Sequence, residues 1–170
     1  MRYFTQVECR NRRGPLKSGR KVTGLAFKGE EVLVTTNDSR LRLYNTEDFG
    51  MSAKYKGLSN DSLQIKASFS EDGQRIICGS ENGKVSGRRG RASFDTNRSH
   101  ESFVATEGDP GIVTVAAYVP ETSTRACVRA VRGALSKEKV DAGGYLGCMV
   151  FTADYEGVVR VFSKAEVLLS

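Results

Sequence analysis

Three stretches of the chain alternate apolar and polar positions and close on an aromatic residue. They are Lys21-Val22-Thr23-Gly24-Leu25-Ala26-Phe27, Gln64-Ile65-Lys66-Ala67-Ser68-Phe69 and Ile112-Val113-Thr114-Val115-Ala116-Ala117-Tyr118. From Phe27 to Phe69 is 42 residues and from Phe69 to Tyr118 is 49, close to the period of roughly 40 to 45 expected of units built from four short strands. Each run is followed by a second strand, a turn rich in Asp, Asn or Gly, and a third strand, the order of an antiparallel meander. In the first copy these are 31–36, Asn37-Asp38-Ser39 and 40–44. In the second they are 74–79, Glu81-Asn82-Gly83 and a strand from Lys84-Val85, and in the third 147–153, Tyr155-Glu156-Gly157 and 158–162. Alternation of period two, clearest in Leu41 and Leu43 against Arg40 and Arg42, turns one face inward and one toward water. The fold class expected is therefore all-β, made of antiparallel four-stranded sheets.

Two segments stand outside the repeat. From Ser86 to Asp109 the chain is polar and rich in Arg, Gly and Ser, which predicts an irregular outer part for the second unit. Residues 121–146 form an insertion between the first two strands of the third. Within it Val128, Val131, Leu135 and Lys139 have helix-like spacing, while Gly143-Gly144 and the charged composition suit a loop equally well. The segment Arg2 to Cys9, with Tyr3-Phe4-Thr5-Gln6-Val7, reads as an outer strand ahead of the first unit. The units expected are 1–60 (outer strand plus first unit), 61–106 (second, degenerate) and 107–170 (third, with the insertion).

The motifs Phe69-Ser70-Glu71-Asp72-Gly73, Cys78-Gly79-Ser80-Glu81-Asn82-Gly83 and Leu41-Arg42-Leu43-Tyr44-Asn45 resemble those of the WD-repeat family. Each turn alone is a weak signal; three in phase are a strong one. The resemblance implies β-propeller blades, about three of them, with structural turns at Asp38, Asp72, Gly73, Asn82, Gly83, Glu156 and Gly157. It also implies a blade network of Asp, His, Ser or Thr, and Trp, which this chain breaks. Asp38 and Thr36 keep their places in the first blade with Tyr44 where Trp would stand. The second has Asn82 and Arg88 and the third Glu156 and Phe162, with Asp109 near the His place. The order of residues over 19–24, 34–44, 54–57 and 64–70 is similar to the last blades of the large WD-repeat proteins that include an endosomal Rab-GTPase effector. That similarity implies a scaffold in vesicle traffic. The GTPase-binding region of that effector lies outside its propeller, so no Rab contact carries over to any residue here. Because three blades leave sheet edges open where closed rings have four to eight, the missing blades are expected either in a longer parent chain or from self-association.

Composition changes this picture little. Of 170 residues 39% are apolar, and Lys plus Arg exceed Asp plus Glu by 26 to 20. The basic residues gather in 10–13, 17–21 and 88–91, which read as loops or sheet edges. The start of the chain has no apolar run of a signal peptide and no stretch approaches the about 20 apolar residues of a membrane span, so the expected location is cytoplasmic or peripheral to endomembranes. Cys9, Cys78, Cys127 and Cys148 are far apart with no CxxC pair, and with the single histidine, His100, they lack zinc-ligand spacing; reduced thiols, mostly filling core, are expected.

Catalytic chemistry finds no foothold. Ser99-His100-Glu101 are neighbours whose side chains diverge on an extended chain, so His100 reads as a surface residue, and the Gly-rich pieces at 87–90 and 143–144 do not join a strand to a helix as a phosphate loop must. No enzyme activity and no cofactor are expected. Recognition is expected from loops held by the stiff scaffold, with Arg20, Lys21, Asn37, Arg40, Lys56, Lys66, Arg88, Arg89 and Arg91 as the candidate partner-binding residues. The partner class expected first is protein; nucleic acid or an anionic phosphoinositide surface, gripped by the basic loops, is second, since aromatics do not interleave with the basic clusters.

Overall fold

The computed structural model describes residues 1–9, 21–89, 100–106, 111–123, 126 and 149–163. Eleven strands are formed among them: β1 (Val22–Lys28), β2 (Glu31–Thr36), β3 (Arg40–Asn45), β4 (Met51–Tyr55), β5 (Ala67–Phe69), β6 (Arg75–Cys78), β7 (Lys84–Arg89), β8 (His100–Val104), β9 (Val113–Tyr118), β10 (Met149–Asp154) and β11 (Val159–Ser163). They make three antiparallel sheets in strict sequence order, β1-β2-β3-β4, β5-β6-β7-β8 and β9-β10-β11. The strands follow from residue type: β-branched and aromatic residues fill the pleat, and the turns carry residues suited to left-handed backbone. Gly73, Gly83 and Gly157 have φ of 70°, 73° and 86°, where a side chain would be strained, and Ser39, at 58°, takes the place of Gly83 and Gly157 in the first sheet.

The sheets stack face to face in the order of the chain. Leu33, Leu41, Leu43 and Tyr55 of the first bury against Ala67, Ile76 and Cys78 of the second, with Leu58 and Ile65 from the connecting loop. Ile77 and Val85, on the opposite face of the second, pack with Val113, Ala116 and Val150 of the third. Successive residues of β6 therefore serve two different cores, which only a strand covered on both faces can do. The Phe103 and Phe162 rings, 4.9 Å apart, extend the second contact outward. Gly79 lets the last two sheets approach: a Cβ there would stand 2.3 Å from the Val113 carbonyl oxygen.

Several expectations need correction. Residues 1–9 form no strand. The fourth place in the first sheet is taken from the other side, by β4 after β3, through a turn in which Asp48 accepts the Gly50 N–H at 2.7 Å. Within 86–109 the described part of the second sheet is regular, because Lys84 to Arg88 pair in register with Val104 to His100, and Ser86 and Gly87 cost the ladder no donor; 90–99 and 107–109 lie outside the described residues. Of the insertion, 121–123 and 126 are helical and begin with the Glu121 N–H donated to Glu71 Oε2 at 2.8 Å. The rest of it, and Asp109, Cys127 and Cys148, lie outside the described residues. No helix among the described residues is long and apolar enough to cross a membrane.

Because Val113 backbone fills the space beside Gly79, Gly79→Ala is expected to destabilise the protein by about 1–3 kcal/mol, the usual cost of overpacking. Urea unfolding of the two proteins checks this; equal midpoints would mean that the second and third sheets are not in contact there.

Candidate interaction surface

The end of each sheet at which β1, β5 and β9 begin carries the turns 37–39, 81–83 and 155–157, and it is anchored by buried charge. In the first sheet Thr36 and Val34 on β2 oppose Arg40 and Arg42 on β3, which aims Arg42 back at the turn. Its Nη2 donates to Asp38 Oδ2 at 2.6 Å and its Nη1 to Asp38 Oδ1 at 3.2 Å and to Thr36 Oγ1 at 2.5 Å; Thr36 in turn donates to Asp38 Oδ1 at 2.6 Å. Both charged side chains are 2% exposed. The alternating pattern had put Arg42 in water; it is buried because a forked guanidinium and a carboxylate satisfy each other. Burial works against ionisation of Asp38, but hydrogen bonds from Arg42 and Thr36 outweigh it and hold the carboxyl below its ordinary range.

The third sheet repeats the pair with the acid moved. Arg160 opposes Thr152, as Arg42 opposes Val34, and it binds Asp154, the last residue of β10. Asp154 Oδ1 also accepts the N–H groups of Glu156 at 3.0 Å and Val158 at 2.8 Å, so it closes the turn, and these bonds with Arg160 first lower its pKa. Glu156, the residue expected to hold the turn, is exposed.

In the second sheet Ser86 stands opposite Cys78, the place of the arginines, and there is no cation for an acid to meet. Glu81 turns outward instead. Its Oε1 accepts the N–H of Asp61 (3.1 Å), Ser62 (2.7 Å) and Leu63 (2.7 Å) and the Ser62 hydroxyl (3.1 Å). Burial opposes its charge, and the Leu63 and Ser62 N–H groups still keep its pKa low. Buried Ser80 clasps the same loop, accepting the Ser59 N–H at 2.8 Å and donating to the Ser59 carbonyl at 2.9 Å. From the other side Ser39 Oγ accepts the Asn60 N–H at 2.9 Å and donates to Asp61 at 3.0 Å. Loop 56–66 is thus pinned between two turns, and the end it completes is rigid.

On this end the structure places Lys21, Asn37, Arg40, Lys56 and Lys66. Lys21, Lys56 and Lys66 are exposed, and Asn37 and Arg40 are half-buried. The Lys66 stem lies over Gly24, where an added Cβ would be 2.8 Å from Lys66 Cγ. Among the described residues the buried side-chain polar atoms without a hydrogen-bond partner are Asn37 Oδ1, Arg40 Nε and both amide atoms of Asn60, all at the junction of turn 37–39 with this loop. In the backbone Arg88 and Arg89 come at the opposite end of β7, Arg89 pairing with Arg75 in the ladder; their side chains lie outside the described residues. Arg20 and Arg91, and the side chain of His100, lie outside the described residues. Asp72, at the far end, accepts Ser70 Oγ at 2.5 Å and the Gln74 N–H at 2.9 Å, which lowers its pKa, the Ser70 bond foremost. Asn82 accepts the Lys84 N–H at 3.3 Å. Cys78 is fully buried, and burial pushes its thiol up to about 12. Tyr44, also buried, does not join the Asp38 network; burial, and then Cys9 beside it, raise its hydroxyl to about 12. Among the described residues no group of three or more His, Cys, Asp or Glu is placed to hold a metal.

No protein-family model matches the chain. Over 95% of its length, in an alignment of 185 residues, it is 35% identical to WD repeat-containing protein 44 of Xenopus laevis. The three sheets are WD-repeat propeller blades. The WD-repeat chain spans 20% of the length of that relative. It superposes on the crystal structure of Saccharomyces cerevisiae Sqt1 with a TM-score of 0.56 and 16% identity, covering 84% of this chain and 31% of the other, a likeness of fold alone. Among the described residues the blades form no closed ring.

The missed residues are Arg42, Arg160, Asp154 and Glu81. The signal was present for the first two: an arginine flanked by aliphatic residues in both Leu41-Arg42-Leu43 and Val159-Arg160-Val161, each a few residues after an acid.

Asp38→Asn leaves Arg42 buried without its counter-charge and is expected to cost about 3–5 kcal/mol, as does breaking a buried pair elsewhere; chemical denaturation measures it, and a cost under 1 kcal/mol would show the pair to be solvated. A second expectation concerns pH. Asp38, Asp72, Glu81 and Asp154 all have depressed folded-state pKa values, so their contribution is full above the ordinary carboxylate range and is lost as pH falls through the folded values. Unfolding free energy should drop steeply below about pH 4, and a flat profile from pH 5 to 2.5 would contradict the assignment.

Proposed function

We propose that the chain works as a non-catalytic protein–protein interaction scaffold whose binding surface is the turn end of the blades, with Lys21, Asn37, Arg40, Lys56 and Lys66 making the contacts. The observation that carries this reading is the rigidity of that end: Glu81, Ser80 and Ser39 fasten the loop between the first two blades on both sides, and recognition favours loops that a stiff scaffold holds in place. Unsatisfied polarity at Asn37, Arg40 and Asn60 lies at the same junction, and it is uncommon for folded proteins to leave buried polar atoms unpaired. Division into 1–60, 61–106 and 107–170 gives the units of this scaffold, and its likeness to large WD-repeat proteins supports a role in vesicle traffic or signalling, in the cytoplasm or at the surface of endomembranes.

A second reading, binding of nucleic acid or an anionic phosphoinositide surface, is favoured by the exposed Lys21, Lys56 and Lys66 on one end and by the formal net charge of +6. Salt separates the two, because log affinity for a polyanion falls with log salt by about one unit per phosphate contacted.

Affinity capture with wild type and with Arg40→Glu and Lys66→Glu tests the proposal. A specific protein held by wild type and lost on either substitution with the circular dichroism spectrum unchanged, its affinity weakening only modestly between 50 and 200 mM salt as exposed charge contacts are screened, is the expected outcome. Binding of RNA, DNA or phosphoinositide vesicles that collapses over that salt range would favour the second reading, and capture unaffected by both substitutions would place the surface elsewhere.

A further inference from the structure

At the turn end the starts of β1 and β5 lie side by side, tied by the Thr23 hydroxyl, which donates to the Ile65 carbonyl at 2.9 Å. The ladder of the first sheet is irregular between Val22 and Gly24, a feature that re-aims the side chains beside it. Gly24 leaves a notch that the Lys66 stem fills: a Cβ there would stand 2.8 Å from Lys66 Cγ and 3.0 Å from its Cβ. Lys21, just ahead of β1, and Lys66, just ahead of β5, are both exposed and form no ion pair among the described residues. Lys56 adds a third exposed ammonium just past β4.

The acids of this end are already engaged. In the first two blades Arg42 binds Asp38, and N–H groups of the loop surround Glu81, so that of the acids described there Asp61 alone is exposed. Positive charge is therefore in excess. The unpaired buried atoms at the same junction narrow what can meet it. Asn37 Oδ1 needs a donor and Arg40 Nε an acceptor. Both residues are half-buried, so rotation of either side chain presents these atoms at the surface. A peptide group offers an N–H and a C=O together. An ionised phosphodiester offers acceptors only, and Asp61 repels a continuous polyanion.

Taking the turn end as the partner surface, a reading on which this inference rests, we propose that the partner enters as an extended acidic segment. A carboxylate of that segment sits between Lys21 and Lys66 in charge-assisted hydrogen bonds, and its main chain bonds Asn37 and Arg40. Gly24 is a positioning residue, because it seats the Lys66 stem without touching the segment.

Fluorescence anisotropy on the whole chain tests this with a labelled peptide of alternating Glu and Ser, compared with the same peptide carrying Lys in place of Glu and with oligothymidylate. The acidic peptide should bind wild type and lose at least about tenfold in affinity when Lys21→Gln and Lys66→Gln are combined. Gly24→Ala, with its circular dichroism spectrum unchanged, should weaken binding through the displaced Lys66. Lys28→Gln, at the opposite end of β1, should leave it as it was. A loss on Lys28→Gln equal to that on Lys66→Gln would mean attraction to net charge alone and overturns the proposal. Oligothymidylate or the Lys peptide bound as tightly as the acidic one, or no binding of the acidic peptide, overturns it too. A protein captured by wild type and lost on Arg40→Glu, but kept by the double Gln variant, would leave the turn end as the partner surface and overturn the acidic chemistry alone.

Discussion

Leu33, Leu41 and Leu43 of one sheet disappear against Ala67, Ile76 and Cys78 of the next, and Ile77 and Val85 repeat the contact against Val113 and Val150. This face-to-face stacking is what the rest of the structure depends on. A three- or four-stranded sheet of short strands cannot hide its own apolar faces, and each side chain of this kind contributes about 1.5–3 kcal/mol only when fully buried. Stacking meets that need on both sides of the middle blade. It also sets the close approach at Gly79 and brings the turns of all three blades to one end of the molecule.

Once the turns share an end, their polar groups must be satisfied there, and the chain does so in three ways at equivalent places. The first blade buries a bidentate Arg42–Asp38 pair closed by Thr36. The third moves the acid from the turn to the end of the strand, so that Asp154 both binds Arg160 and caps the turn. The second has no arginine at the place of Ser86, and its acid, Glu81, is free to fasten the loop between blades. In the second blade Asn82 stands at the place of Asp38, and the acid that clamps the loop, Glu81, stands at the place of Asn37.

The blades were legible because their strands obey period two and their turns need Asp, Asn or Gly. Gly73, Gly83 and Gly157 all have the positive φ that such turns require. What was not legible depends on distance in space. Met51 to Tyr55 carries too little alternation to be read as a strand, and becomes one only because β3 offers it an edge. Residues 1–9 have the composition of a strand and yet form none. Lys84 to Arg89 looked irregular by its Gly and Arg content, but a ladder needs backbone donors, which β8 meets. Arg42 was read as solvated because a pattern of period two cannot tell water from a buried carboxylate. For the surface, sequence named Lys21, Asn37, Arg40, Lys56 and Lys66 without showing that they share an end, and grouped them with Arg88 and Arg89, which do not.

A scaffold of this kind recognises through what its stacked sheets hold still, so the account stands on the stacking itself. Methyl-resolved NOE spectroscopy on isotope-labelled protein tests it most directly. Cross-peaks between the methyl groups of Leu33, Leu41 and Leu43 and those of Ile65 and Ile76, together with a second set joining Ile77 and Val85 to Val113 and Val150, are what the structure requires. Methyl groups of Ile76 and Ile77 that report to the same neighbours, or to none outside 67–104, would contradict it.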